Sequence, residues 1–198
     1  MTQKQFVKKL LCWGNENQRI FPWRKTKNPF YILIAEMMLQ KTDAEKVAKI
    51  YPKLIKKYST PYRLARANIR ELKKELHYLG IHSRAGRMKK MAQKIVNQFN
   101  GKVPQNEGVL LSFSGVGPYI ANAVLCFAFN KDVPLVDTNV IKILKIFLNI
   151  KSKQKRPRND RGLWDRVQKI IPAGRGKLFN RSIIDLSAHI RKYRKIPI

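Results

Sequence analysis

Acidic residues are scarce in this sequence of 198 residues. It contains 12 Asp and Glu against 42 Lys and Arg, which gives a formal net charge of +30 at neutral pH. Repulsion at that level disfavours a compact chain, so we expect a polyanionic partner. Nucleic acid fits best, because neutralised phosphates release counterions. Adaptation to heat also enriches lysine, but it normally enriches glutamate alongside, and the scarcity of Glu argues against it.

Cysteine is also rare, since Cys12 and Cys126 are the two in the chain. Neither belongs to a Cys-x-x-Cys pair or a Cys/His cluster, so we expect no metal site and no iron–sulfur cluster. Isolated thiols suit a reducing compartment. No signal-peptide core and no run long enough to span a membrane is present. We expect a soluble monomer without membrane contact, cytoplasmic and nucleoid-associated or otherwise intracellular with DNA.

Alternating strand patterns are missing, and nearly every segment has the apolar spacing of a helix. The chain is therefore predicted to be all-α, as one domain or two small lobes. A helix start is indicated at Thr2. Another is indicated by Thr42-Asp43-Ala44-Glu45, which has the form of a capping box. Pro52 predicts a kink or a break in the helix that follows.

The most informative stretch covers residues 110–139. An apolar helix end leads to Ser114-Gly115-Val116-Gly117 and then to Pro118, which suits the first turn of a helix. Two glycines allow a tight hairpin, because glycine reaches positive φ at no steric cost. The N–H groups of this turn would then face solvent and suit a phosphate oxygen. On its own, a Gly-x-Gly turn between helices is common and indicates little.

Two carboxylates have more than one interpretation. Asp137 precedes a helical run, where it either caps that helix or acts as a catalytic group. Glu36 lies in the apolar run YILIAEMMLQ, where it either reaches water or a lysine, or is buried for a purpose. Burial would raise its pKa and make it a competent general acid. The sequence alone leaves these choices open.

Three further residues also have two interpretations each. Tyr119, the second residue of the helix after the hairpin, is either a core tyrosine or part of a pocket for an extruded base. Gln40 and Ile81 lie at the ends of elements. Each is either an ordinary loop or core residue, or a wedge that fills the space left in a duplex.

Five linked motifs resemble those of the helix-hairpin-helix DNA glycosylases of the endonuclease III superfamily, over about residues 21–190. They occur in family order as FPWR at 21–24, NPFYILIAEMMLQKT at 28–42, LGIHSRA at 79–85, SGVGPYIANAV at 114–124 and VDTN at 136–139. The resemblance is best to thymine/uracil–guanine mismatch glycosylases, with adenine–mismatch glycosylases next. It implies two helical lobes flanking a cleft. One would cover residues 28–131, with the helix-hairpin-helix at about 105–129, and the other residues 1–27 plus 132–198.

The resemblance also implies roles for individual residues. Asp137 matches the catalytic carboxylate and Glu36 a pocket glutamate. Tyr119 falls where bifunctional members carry a lysine that attacks the sugar. Tyrosine cannot form that Schiff base, so we expect base removal without strand cleavage. The implied DNA-binding residues are Gln40, Lys41, Ile81, His82, Ser83, Arg84, Gly115, Val116, Gly117, Tyr119 and Asn139.

We therefore expect a monofunctional glycosylase that removes thymine or uracil opposite guanine in double-stranded DNA. The alternatives are an adenine glycosylase for A·G-type mispairs, a hairpin module that binds DNA without catalysis, and a lyase that uses another lysine. No cofactor is expected apart from a monovalent cation held by the hairpin carbonyls.

Two departures from the family pattern are present. Phe113-Ser114 stands where Leu-Pro is usual, and the four-cysteine cluster loop does not occur before the last residue, Ile198.

Overall fold

The structure is a computed structural model that describes residues 1–80, 83–152 and 154–198. In these ranges the chain forms eleven α-helices, three short 3-10 turns and no strand. The 3-10 turns cover Pro22–Arg24, His77–Leu79 and Pro157–Asn159. The α-helices in chain order are α1 Gln3–Glu16, α2 Pro29–Leu39, α3 Ala44–Lys57, α4 Pro61–Ala65, α5 Ile69–Glu75, α6 Ser83–Phe99, α7 Glu107–Leu111, α8 Pro118–Phe127, α9 Thr138–Leu148, α10 Arg161–Ile170 and α11 Gly176–Tyr193. The prediction of an all-α fold is confirmed.

The helices fall into two compact units. Unit 1 contains residues 1–19 and 130–198, and unit 2 contains residues 20–129. The first boundary therefore lies at 19/20, where the sequence suggested 27/28. The reason is aromatic packing: Phe21 stacks on Trp23 with ring centroids 4.8 Å apart, and Trp23 meets Tyr51 of α3 edge-on at 5.6 Å. This packing fastens the segment before α2 to unit 2.

Unit 1 is built on the packing of α1 against α11. Gly14 of α1 approaches Ser182 of α11 so closely that a Cβ on Gly14 would overlap the Ser182 hydroxyl. Arg19 donates to the Asp185 carboxylate through its Nε at 2.7 Å and its backbone N–H at 3.1 Å. The core between α1, α9, α10 and α11 is apolar and includes Phe6, Leu10, Val140, Leu163, Phe179 and Ile183. The first helix, α1, is therefore held in place by its packing against α11.

Unit 2 is organised around α2, which is apolar on nearly every side. Eight of its eleven residues are buried, namely Phe30 and residues 32–38. The helix begins at Pro29, because the Asn28 Oδ1 accepts the N–H of Phe30 at 2.9 Å. α3, α6 and α8 all contact α2. A helix that is hydrophobic all round lies inside a bundle, and α2 is the centre of this one.

The expected capping box at residues 42–45 is wrong. Asp43 is the N-cap of α3, but its side chain makes no capping hydrogen bond. The Thr42 hydroxyl instead lies 3.2 Å from the carbonyl oxygens of both Gln40 and Leu79. Competing tertiary partners therefore take the hydroxyl that the sequence assigned to the helix start.

Two other local expectations have different outcomes. The cap at Thr2 is confirmed, because Thr2 and Gln5 form a reciprocal capping box. Pro52 lies inside α3, and the helix continues to Lys57, so of the expected kink or break the break does not occur. No helix in the described ranges is both long and apolar enough to cross a membrane.

Candidate active site

The turn between α7 and α8, residues 112–117, has the conformation of a tight hairpin. Gly115 has a φ of +84°, and the Val116 N–H donates to the Phe113 carbonyl at 3.0 Å. A Cβ on Gly115 would lie 3.0 Å from the Arg87 Cδ and 3.1 Å from the Met37 Cε. Both the backbone and the surrounding space therefore require glycine at this position.

Gly117 differs from Gly115 in both backbone conformation and surrounding space. It is the N-cap of α8 with φ −106° and ψ −178°, an extended backbone that other residues also adopt. Of the two hairpin glycines, Gly115 is the one that uses a positive φ. A Cβ on Gly117 would meet nothing within 4 Å. The amides at the start of α8 are thus open to a ligand, and the helix dipole favours an anion there.

Gln40 connects α2 to the hairpin. It is the C-cap of α2, and its side-chain Nε2 donates to the Gly115 carbonyl at 2.8 Å. Lys41 follows as an exposed residue with a φ of +51°. The proposed wedge is therefore docked on the hairpin in this structure. The other predicted wedge, Ile81, and its neighbour His82 lie outside the described residues.

Arg84 lies in the interior and not on a DNA-facing surface. It is 1% exposed, and its Nη2 donates to the Gln40 carbonyl at 2.7 Å and the Thr42 hydroxyl at 2.9 Å. Its Nη1 lies 3.4 Å from the Leu79 carbonyl. Burial lowers the pKa of Arg84, and the nearby charge of Arg87 lowers it further. A side chain enclosed in this way does not reach phosphate, so its prediction as DNA-binding is corrected.

Arg87 is a residue that the sequence reasoning missed. Its stem lies beside Gly115, and its Nη2 donates to the hydroxyl of Ser83, an exposed residue at the start of α6. The spacing of four residues on one helix is the signal that could have paired them. A cationic side chain thereby lies next to the hairpin.

Glu36 and Tyr119 lie on two helices that pack against each other, α2 and α8. Glu36 is only 6% exposed, so the interpretation as an exposed carboxylate is wrong. Tyr119 is half-buried as the second residue of α8. Unit 2 therefore contains a buried carboxyl group on the helix that packs against α8, and a half-buried phenol two residues after the hairpin.

Asp137 belongs to unit 1 and caps α9. Its Oδ1 accepts the backbone N–H groups of Asn139 at 2.9 Å and Val140 at 2.7 Å. Its Oδ2 accepts from the Asn139 side-chain Nδ2 at 3.1 Å. The capping interpretation is confirmed. Capping also fixes the rotamer of a carboxylate that remains partly exposed, so the two roles are compatible.

The extended segment before Asp137 is held by α11. The Asn180 Nδ2 donates to the Val133 carbonyl at 2.8 Å, and its Oδ1 accepts the Leu135 N–H at 3.1 Å. The Asp132 carboxylate accepts the backbone N–H groups of Gly174, just before α11, at 2.6 Å and of Gly176, its first residue, at 2.8 Å. These bonds determine where the chain enters α9 and hence where the Asp137 carboxylate points.

The described ranges contain no cluster of three or more side chains suited to a metal ion. Cys12 is exposed on α1 and Cys126 is buried on α8. A four-cysteine iron–sulfur cluster needs four thiolates, and the two thiols of this chain do not supply that set.

Comparison with known proteins decides the family. Residues 34–169 match the family described as "HhH-GPD superfamily base excision DNA repair protein". The chain belongs to the HhH-GPD superfamily. The match spans the hairpin, Glu36, Tyr119 and Asp137, so every candidate for the chemistry lies inside it. The family resemblance seen in the motifs is confirmed.

Relatives within the HhH-GPD superfamily are similar over nearly the whole chain. A thymine/uracil-DNA glycosylase of Pyrobaculum aerophilum is 35% identical over 190 residues, which cover 94% of this chain and 83% of that protein. A thymine/uracil-DNA glycosylase of Methanothermobacter thermautotrophicus is 34% identical, with 98% of this chain and 87% of that protein covered. The solved structure of a thermostable thymine-DNA glycosylase has a TM-score of 0.91 at 34% identity, covering 98% of this chain and 89% of that one.

Proposed function

We propose that this protein is a DNA glycosylase that removes thymine or uracil mispaired with guanine and leaves the DNA strand unbroken. The observation that carries the proposal is the near full-length similarity to two thymine/uracil-DNA glycosylases. The strongly basic composition suits a DNA substrate, because each neutralised phosphate releases counterions. The residues of the hairpin, α2 and α9 supply the chemistry.

Substrate binding begins at the hairpin. The space beside Gly117 admits a phosphate oxygen to the amides at the start of α8. The hairpin carbonyls are neutral oxygen donors that suit a monovalent cation, and no other cofactor enters the proposal. Gln40, and Ile81 by its place in the sequence, then fill the space in the stack as the mispaired base leaves it. A mismatched base costs less to unstack than a paired one, which gives part of the selectivity.

Asp137 is proposed to stabilise the reacting sugar. Breaking an N-glycosidic bond develops positive charge on the sugar, as in other glycosyl transfers. A carboxylate whose Oδ1 already accepts the backbone N–H groups of Asn139 and Val140, and whose Oδ2 accepts from the Asn139 side chain, needs little reorganisation to face that charge. The same carboxylate can orient the attacking water.

Glu36 is proposed to act on the departing base. Glu36 is 6% exposed, so a base that reaches it meets a carboxyl group that is largely shielded from water. It can therefore donate a hydrogen bond or a proton to the base as the bond breaks. Its position in the middle of α2 gives it a rigid support.

Tyr119 limits the reaction to base removal. A lysine amine at this place could attack the opened sugar and lead to strand cleavage through a Schiff base, but a phenol cannot. The product is then an abasic site, which breaks only when alkali is added.

The test is base release from labelled duplexes that carry T·G, U·G or A·G, scored with and without alkali. We expect breaks from T·G and U·G only after alkali, and no adduct after borohydride reduction. Breaks without alkali, or a trapped adduct, would contradict the monofunctional mechanism. Release from A·G alone would contradict the proposed base. No release from any duplex would leave a protein that binds DNA without catalysis.

A further inference from the structure

Three segments of unit 2 meet at Gln40. The first is the end of α2, which Gln40 caps. The second is the turn at Leu79 and Gly80, directly before Ile81. The third is the hairpin, whose Gly115 carbonyl accepts from the Gln40 side chain at 2.8 Å. Two of these segments carry the residues proposed to enter the duplex.

Arg84 and Thr42 join the first two segments. The Gln40 carbonyl accepts from the Arg84 Nη2 at 2.7 Å and lies 3.2 Å from the Thr42 hydroxyl. The Leu79 carbonyl lies 3.4 Å from the Arg84 Nη1 and 3.2 Å from the same hydroxyl. The hydroxyl also accepts from Nη2 at 2.9 Å. We call this pair of side chains the Arg84–Thr42 clamp.

The chemistry of the clamp suits this task. A guanidinium carries its N–H donors in a rigid planar fork, so one arginine can hold two carbonyls at a fixed separation. Its positive charge also lies at the C-terminal end of α2, where the helix dipole favours a cation. In the part of the chain that the structure describes, the partners of Arg84 are neutral oxygens rather than a carboxylate. Burying a guanidinium without a counter-ion is costly, which indicates that fixing these carbonyls matters.

We propose that Arg84 and Thr42 are positioning residues, which hold the Gln40 and Leu79–Gly80 segments in one arrangement before DNA is bound. This inference rests on the proposed function. Two segments that enter a stack together must keep their separation, and a pair ordered in advance loses less entropy on binding than a loose one. The clamp therefore favours extrusion of a base from a duplex. It has no part in breaking the glycosidic bond.

The test uses Thr42→Val, which keeps the shape of the side chain and removes its hydroxyl. Single-turnover release of uracil is measured from a U·G duplex and from single-stranded DNA. We expect a loss of about tenfold on the duplex, as for one lost hydrogen bond, and little change on the single strand. Arg84→Lys should change the rates in the same direction, because one ammonium does not span both carbonyls.

A matched control and a direct readout complete the design. Thr60→Val removes another threonine hydroxyl, which caps α4 by accepting from the Arg63 N–H at 3.2 Å. We expect it to change stability and not the duplex-to-single-strand ratio. A 2-aminopurine beside the mismatch reports unstacking directly, and its fluorescence rise at saturating protein should shrink in Thr42→Val.

Two outcomes would overturn the proposed role of the clamp. One is an equal loss of rate on the duplex and on the single strand in Thr42→Val. The other is a loss of rate and a change in fluorescence that Thr60→Val reproduces. The proposed function fails separately, if the wild-type protein releases neither thymine nor uracil from any substrate. The 2-aminopurine measurement then still tests the clamp, because it needs binding and unstacking but no cleavage.

Discussion

The side-chain oxygen of Asn180 accepts a 3.1 Å hydrogen bond from the N–H of Leu135, two residues before Asp137. The nitrogen of the same amide donates to the Val133 carbonyl at 2.8 Å. One fully buried side chain thus pairs with an extended segment as a neighbouring strand would. The direction of the Asp137 carboxylate depends on this pairing.

Asn180→Asp should destabilise the protein strongly. One carboxylate oxygen keeps the Leu135 N–H, but the other faces the Val133 carbonyl and places a charge in the core. The expected cost is about 3 kcal/mol or more in the free energy of unfolding, measured with urea. Asn106→Asp is the control, since Asn106 is an exposed cap of α7 and Asp caps equally well. Equal stability of the two variants would contradict this account of Asn180.

Asp137→Asn should separate catalysis from capping. Asn is as good an N-cap as Asp, so α9 and the thermal midpoint should change little. The loss of the negative charge should slow single-turnover base release by about 100-fold or more. Asp160→Asn makes the same change at the cap of α10 and should leave the rate intact. A near-normal rate in Asp137→Asn would remove this residue from the mechanism.

The two hairpin glycines should respond differently to alanine. Gly115→Ala forces a residue with a side chain to a φ of +84° against Arg87 and Met37, at a cost of roughly 1–3 kcal/mol of stability. Gly117→Ala has an ordinary backbone and open space, so its stability should match the wild type. In the proposed binding mode its methyl group occupies the space for a phosphate, so affinity in a salt-titrated binding assay should fall. Undiminished affinity would show that phosphate binds elsewhere.

Glu75 should make stability depend on pH in the acid range. Its carboxylate lies 3.2 Å from the Lys57 Nζ and 3.3 Å from the Lys53 Nζ. Burial alone would raise its pKa, but these bonds outweigh burial and hold the pKa below its ordinary value of 4.5. A lowered pKa stabilises the fold above the ordinary value, and this contribution disappears as the pH falls through the folded-state value.

The variant for that test is Glu75→Gln. At neutral pH its thermal midpoint should be lower than that of the wild type, by an amount that reflects about 1 kcal/mol or less, because the pair is near the surface. The difference should close as the pH falls below 4.5. Glu16→Gln removes a carboxylate at an exposed position on α1 and is the control. A constant difference across this range would assign the effect to packing.

Local signals allowed the sequence to predict much of this molecule. The all-helical fold, the cap at Thr2 and the cap at Asp137 each depend on a few neighbouring residues. The family resemblance extended the prediction to the hairpin and its surroundings. In each of these cases the residues that determine the local structure lie within one or two helical turns of one another.

Other features depend on residues far apart in the sequence. Arg84 lies in the motif LGIHSRA, for which the family resemblance implies DNA binding, but its side chain is buried against Gln40, 44 positions away. The same long-range contact withdraws Thr42 from the cap of α3. The burial of Glu36 likewise follows from the packing of other helices all round α2. Sequence periodicity does not report contacts of this kind.

The division of the chain also orders events during its synthesis. Residues 20–129 form one continuous unit, whereas α1 packs against α11 at the opposite end of the polypeptide. A ribosome translates from the amino terminus, so unit 2 can fold before α11, the helix against which α1 packs, has been synthesised. Asn180 follows Leu135 by 45 residues, so the segment that leads to Asp137 gains its hydrogen-bonding partner on α11 only after unit 2 has been synthesised.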